Sequence, residues 1–143
     1  MARVKVNLKG ISVTTKAVED AVEEGIYDVT DDLIRTSSES APHWKGILEQ
    51  SYSREVVKSG TRTVATVDYT VKEQNSNGGF NYAYYMHEGD YDLGEKSKEK
   101  AASGGGVGMS GRSYPVGQKF LTNVLDGEEE TYIAYIQKLV DKA

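Results

Sequence analysis

Two histidines, His43 and His87, and no cysteine are what this chain offers for nucleophilic or metal chemistry. Without cysteine there is no disulfide framework, thiolate metal site or thiol nucleophile. A zinc site on the two histidines would need further ligands that only carboxylates supply. His87 has Glu88 beside it and Asp90 and Asp92 close by, residue types that can form a histidine–carboxylate base. No Ser or Lys nucleophile partners it at a recognisable spacing, so His87 reads as a surface or hairpin-end side chain. Gly106-Val107-Gly108-Met109-Ser110-Gly111 matches G-x-G-x-x-G, and Gly106 to Ser113 matches a phosphate loop with Arg112 in place of the lysine. Such loops work when a strand delivers them and a helix starts directly after, aiming backbone N–H groups and a helix dipole at phosphate. Here Lys100-Ala101-Ala102-Ser103 precedes and Tyr114-Pro115 follows. We therefore read a flexible linker and assign no cofactor. Tyr82, Tyr84, Tyr85 and Tyr91 could stack bases, but that use comes with interleaved Arg or Lys, which this segment lacks. They read as half-buried sheet or interface aromatics. No catalytic, cofactor-binding or metal-ligating residue is assigned.

The elements that must position these residues follow from periodicity. With 143 residues, a hydrophobic share of 38%, ten tyrosines and two prolines, the chain has the make-up of one folded domain. Val4, Val6 and Leu8 alternate with polar residues as a short strand does, with Ile11 and Val13 as a candidate extension. Val18, Val22, Ile26, Val29 and Leu33 then follow one another by four, four, three and four, the stripe of an α-helix, with Thr14 or Thr15 as its cap. Ser37, Ser38, Ser40 and Pro42 predict its end, and a helical turn is expected between Trp44 and Ser51. Residues 51–58 and 61–71, rich in Val, Thr and Tyr, form a hairpin about Ser59-Gly60. Residues 72–79 are a polar loop, and residues 80–88 are either a third strand or a turn packed on the sheet. Apolar residues nearly vanish over 94–117, which predicts a long mobile loop or arm. Helical spacing returns at Phe120, Val124, Tyr132, Ile133, Ile136 and Val140, with Asp126-Gly127 as an interruption. The fold class is α+β: a small antiparallel sheet with a long hairpin, packed by an N-terminal and a C-terminal helix, plus a long glycine-rich loop, in a single domain over 1–143.

Charge is distributed unevenly. The chain carries a formal charge of −5, which argues against tight non-specific binding to nucleic acid. The first helix concentrates Glu19, Asp20, Glu23, Glu24, Asp28, Asp31 and Asp32 against Lys16 and Arg35. Like-charge pairs such as Glu24/Asp28 each cost about a few tenths of a kcal/mol. Lys96, Lys98, Lys100 and Arg112 make the glycine loop cationic despite Glu95 and Glu99. One reading is a solvated helix face and a soluble loop. The other is that acidic and basic patches of neighbouring subunits meet, or that an acidic surface lines a passage through which DNA slides without sticking. The N-terminal residues lack the continuous apolar stretch of a signal peptide and no apolar run is long enough to span a bilayer, so a cytoplasm-made chain without a membrane partner is expected.

Three segments together resemble a known family. They are Ala41-Pro42 followed by Gly46-Ile47-Leu48 after the first helix, Tyr82-Ala83 followed by Glu88-Gly89 after the sheet, and Gly117-Gln118-Lys119-Phe120-Leu121 leading into the last helix. Their order and spacing over about residues 15 to 140 resemble the tail-completion or head-tail joining proteins of long-tailed bacteriophages, also labelled minor capsid proteins. Gly89-Asp90 stands where that family commonly has Gly-Thr, and the glycine-rich insertion is longer. The resemblance implies a non-enzymatic virion protein, assembled in the host cytoplasm, that works as a homo-oligomeric ring, commonly a hexamer. It would sit at the neck between portal-side connector proteins and the tail tube or tail terminator, and leave a channel for DNA. Tail-terminator and head-side stopper rings are the neighbouring alternatives. A small nucleic-acid-binding or regulatory domain would show a basic strip that is lacking, and an enzyme using His87 with Glu88 or Asp90 would show a concave pocket around them. Subunit or partner contacts are expected from Trp44, Ile47, Leu48, Tyr84 and Tyr85, from the arm's Lys96, Lys98, Lys100 and Arg112, and from the acidic surface of Glu23, Glu24, Asp28 and Asp31.

Overall fold

The structure is a computed structural model that describes residues 2–7, 16–43, 47–60, 62–71, 82–89 and 91–143. Helix α1, Lys16–Ser40, buries the expected stripe of Val22, Ile26, Val29 and Leu33. It runs through the serines that predicted its end, because their hydroxyls are used inside the fold. Ser37 Oγ donates to Leu33 O at 2.6 Å and shares a hydrogen bond of 2.7 Å with the buried Tyr69 hydroxyl, which also meets Ser38 Oγ at 2.8 Å. A serine at i+4 that bonds back to the helix is compatible with helix when a buried partner holds it there. The proposed caps Thr14 and Thr15, the extension over Ile11 and Val13, and the polar loop 72–79 lie outside the described residues.

Strands β2 (Tyr52–Ser59) and β3 (Arg62–Tyr69) form the expected hairpin, and Gly60 at φ 59° supplies the left-handed turn residue. Strand β1, Ala2–Asn7, pairs with the other side of β3, so the sheet order is β1-β3-β2. The central strand is buried on the face toward α1 through Ala65, Val67 and Tyr69. The tyrosine-dense segment is neither strand nor bare turn. Tyr82–Glu88 is helix α2, and its buried residues, Ala83, Met86 and His87, recur at helical spacing. Aromatic content suggested a strand, but the spacing of the residues that bury themselves decided for a helix.

The segment 94–117 is a correction as well. It holds helix α3 (Glu95–Ala102) and a short hairpin of β4 (Gly106–Val107) and β5 (Ser113–Tyr114), laid on α1. Hydrophobic periodicity could not reveal this, because the order comes from polar and backbone contacts. Gly106 N donates to Ser40 Oγ at 3.1 Å, Gly117 N to Ser40 O at 3.0 Å, and Arg35 Nη2 to Val107 O at 2.9 Å. Finally, α4 spans Thr122–Lys142 without a break at Asp126-Gly127. Gly127 is there for space, since a Cβ would lie 2.1 Å from the Tyr114 hydroxyl. α1 covers the sheet and α4 lies along α1, where a Cβ on Gly25 would sit 2.7 Å from Ile136 Cγ1. Phe120, just ahead of α4, closes the core edge-on against Tyr69 at 5.1 Å between centroids. The two long helices and the antiparallel sheet make the α+β arrangement expected from the sequence.

Candidate functional site

The glycine motif does bind anions through its backbone, and those anions are the protein's own carboxylates. Met109 N donates to Asp32 Oδ2 at 3.0 Å, and Ser110 N donates to Glu128 Oε1 at 2.7 Å. Asp32 belongs to α1 and Glu128 to α4, so the hairpin tip clasps the two helices together. Glu128 is fully buried, a costly place for a carboxylate unless donors surround it. The Ser110 hydroxyl and the Tyr114 hydroxyl, the latter at 2.7 Å, complete its shell. Burial, then the hydrogen bond to Glu128, pushes the Tyr114 hydroxyl up to about 12. Burial and Asp32 raise Tyr132, which donates to Asp32 at 2.8 Å. Gly108 is required by close approach, since a Cβ there would meet the Glu128 carboxyl carbon at 2.3 Å.

The expected arm cations divide. Lys100 turns inward and donates to Ser38 O at 2.8 Å and to Ala41 O, with Glu49 at 3.4 Å. There it serves the carbonyl end of α1, where a cation also meets the negative end of the helix dipole. Burial lowers its pKa against the opposing pull of Glu49. Arg112 donates to Gly127 O at 3.4 Å across the clasp. Lys96 and Lys98 are exposed, with no ion-pair partner among the described residues. The acidic surface divides as well. Asp28 accepts from Tyr135 at 2.6 Å, Asp31 from Arg54, and Glu19 lies 3.7 Å from Lys58. Glu23 and Glu24 have no such partner among the described residues. The structure thus corrects an arm reaching outward with four cations: the arm folds back on its own first helix and spends part of both charge sets inside the chain.

Of the expected apolar contact residues, Ile47 is 44% and Tyr85 42% exposed, the latter packed against Tyr91. Leu48 is fully buried in the core, which corrects its place as an interface residue. Trp44 and the Tyr84 side chain lie outside the described residues.

His87 is buried, not a surface residue. Its Nε2 accepts from Thr122 N at 3.2 Å and meets Thr122 Oγ1 at 3.1 Å, while Nδ1 faces Glu88 at 3.1 Å. It supplies a cap for the first turn of α4 from another element, where Leu121 offers no side-chain acceptor. Burial lowers its pKa, with Glu88 opposing and Lys119 assisting. Around it, Lys119 N donates to His87 O at 2.8 Å, and Lys119 Nζ pairs with Glu88.

Two features escaped the sequence reading. His43 Nδ1 lies 2.5 Å from Glu49 Oε1, and Ser97 Oγ accepts from His43 N at 2.9 Å. Ser97 is 54 positions from His43, and only the fold unites them. Beside them runs a groove of about 680 Å³ between α1 and β2, walled by Ile34, Arg35 and Glu39 on one side and Glu49, Tyr52 and Arg54 on the other. Among the described residues no helix is long and apolar enough to cross a membrane, and no three His, Asp or Glu side chains gather in a metal-binding group. Neither a family model, nor a curated protein, nor a solved structure matches the chain.

Proposed function

We propose that this chain is a ring-forming structural subunit at the head-tail junction of a tailed bacteriophage, joining the tail to the DNA-filled head and leaving a channel for DNA. The observation that carries the reading is the meeting of the three family-like segments in one place. Ala41 and Leu48 from the first, Ala83 and Met86 from the second, and Phe120 and Leu121 from the third share the core. The links are specific: Gly117 N bonds Ser40 O, His87 caps α4, and Gln118 Nε2 donates to Glu88 O at 3.1 Å. Residues separated by up to eighty positions thus lie in one core, which supports reading the three short motifs as one ordered combination. A tail-completion ring is the reading; a tail-terminator or head-side stopper ring is the neighbouring alternative.

The test is native mass spectrometry and electron microscopy of the purified chain, alone and with phage tail tubes. The expected outcome is a ring with an open centre that seats on one end of the tube. A chain that stays monomeric and ignores tubes refutes the reading.

A further inference from the structure

Among the described strands, nothing pairs with the outer side of β2 or of β1. β2 is eight residues long, contains no proline, and keeps an unbroken register with β3 from Tyr52↔Tyr69 to Ser59↔Arg62. Proteins usually blunt such an edge with proline, a bulge or outward lysines. The cations of β2 are instead drawn toward α1: Arg54 pairs with Asp31 and lies 4.7 Å above the Tyr27 ring, and Lys58 lies 3.7 Å from Glu19. Tyr52 and Val57 remain 48% and 50% exposed. A two-residue connection makes Ser59 and Arg62 the hydrogen-bonded pair that closes the hairpin. By alternation, the amide and carbonyl groups of Arg54, Val56 and Lys58 point away from β3 toward the open side.

What fits that edge is indicated by the opposite edge of the same sheet. β1 reads Ala-Arg-Val-Lys-Val-Asn, with alternating small or aliphatic residues, two cations and no anion. The registers place Lys5, Thr66 and Glu55 in one row across the sheet, and Val6, Ala65 and Val56 in the next. Lys5 and Glu55 therefore belong to one sheet face, and Val6 and Val56 to the other. β1 and β2 both run antiparallel to β3, so they run parallel to each other and a sheet continued without inversion keeps that sense.

We propose that β2 receives β1 of a second copy of this chain as a fourth, parallel strand, so that the sheet passes from subunit to subunit. The proposal rests on the ring reading and names its contact. On the face of Glu55 the incoming strand brings Arg3 and Lys5, and opposite charges on neighbouring strands favour the pair. On the other face it brings Val4 and Val6 beside Val56, toward the groove walled by Ile34. The joint uses two different edges, so it is heterologous, and it closes into a ring when the rotation between subunits allows. In a closed ring no strand edge of this sheet is left unpaired.

The cysteine-free sequence permits a direct test. Within one chain, residues 5 and 55 flank the same residue of β3, which separates them by two strand spacings, about 9.5 Å. That exceeds the reach of a disulfide, about 7 Å between Cα atoms. Glu55→Cys is combined in turn with Arg3→Cys, Lys5→Cys and Asn7→Cys, and each double variant is mildly oxidised. At least one pair should give a ladder of covalent multimers. Val56→Pro removes an outward amide without touching the ladder to β3. It should abolish the covalent ladder and weaken assembly at least tenfold, with an unchanged circular dichroism spectrum. Should Val56→Pro fail to fold, Glu55→Lys takes its place: assembly should weaken and be restored by Lys5→Glu. A ring by native mass without covalent multimers from any pair, or with Val56→Pro assembling as wild type, overturns the sheet joint and leaves the ring reading standing. A chain that is monomeric with and without tail tubes overturns both.

Discussion

Glu128 shows how much a single residue can organise when its neighbours are glycine. The carboxylate is fully buried, held by Ser110 N, the Ser110 hydroxyl and Tyr114, and Gly108 leaves it room. Glu128→Ala strands these buried donors, so a loss of about 1–3 kcal/mol is expected, read as a lower urea midpoint. Gly108→Ala should cost about as much, through overpacking of about 1–3 kcal/mol, and the two changes together should cost clearly less than their sum. Additive losses would show that the two sites are uncoupled. His87 makes the complementary prediction for pH. Its folded pKa lies below the ordinary value because the ring is buried, with Lys119 assisting and Glu88 opposing. A depressed histidine binds its proton more readily when unfolded. Its stabilising contribution is therefore complete above the unfolded value of about 6.5 and is lost as pH falls below it, with a slope of at most about 1.4 kcal/mol per pH unit. Thermal unfolding followed from about pH 7.5 to 5.5 should show this decline, and His87→Gln should flatten it. An identical decline in the variant assigns the acid sensitivity to other groups.

At the scale of elements, α3 and the β4–β5 hairpin act as a clasp over the end of α1. Lys100 is its inner anchor, so Lys100→Ala should speed tryptic cleavage at Lys96 and Lys98 and lower stability by about 1–2 kcal/mol, the loss of charge-assisted, partly buried bonds to the Ser38 and Ala41 carbonyls. Equal cleavage rates in wild type and variant would sink the anchor. The clasp also shows where sequence reading stops. α1, α4 and the β2–β3 hairpin were legible because a packed helix or strand writes its period in apolar residues. α2 was misjudged because tyrosine density says nothing about period, whereas Ala83, Met86 and His87 do. Asp126-Gly127 read as a break because glycine has two uses, conformational freedom and space, and only the Tyr114 hydroxyl against Gly127 distinguishes them. The clasp left no periodic trace, since hydrogen bonds to Ser40, Asp32 and Glu128 order it. Of the candidate contact residues, Ile47 and Tyr85 are exposed, while Leu48 and Lys100 turn inward.

For the whole molecule, the division of charge would separate folding from the proposed assembly. Helix α1 is crowded with carboxylates, yet Asp28, Asp31 and Asp32 are matched within the chain, which leaves Glu23 and Glu24 as the open part of that surface. On the clasp, Lys100 and Arg112 serve the fold and Lys96 and Lys98 face outward. If clasp cations guide subunits or partner rings together, only the outward pair is available to do so. Exposed ion pairs contribute about 0–1 kcal/mol each, so in the proposed ring apolar packing and backbone pairing would supply most of the cohesion, and the charges would set register and encounter rate. Lys96→Glu with Lys98→Glu should therefore leave the unfolding midpoint within about 0.5 kcal/mol of wild type. The same variant should slow assembly on tail tubes, most strongly at low salt, and wild-type assembly should weaken as salt rises without vanishing. Lys100→Glu should do the reverse, lowering stability at every salt concentration. Light scattering of assembly and urea unfolding, each run across a salt series, read the two effects independently. Unchanged assembly rates and salt dependence in the Lys96/Lys98 variant would remove the clasp's electrostatic role and leave the strand edges and exposed apolar residues to hold the proposed ring.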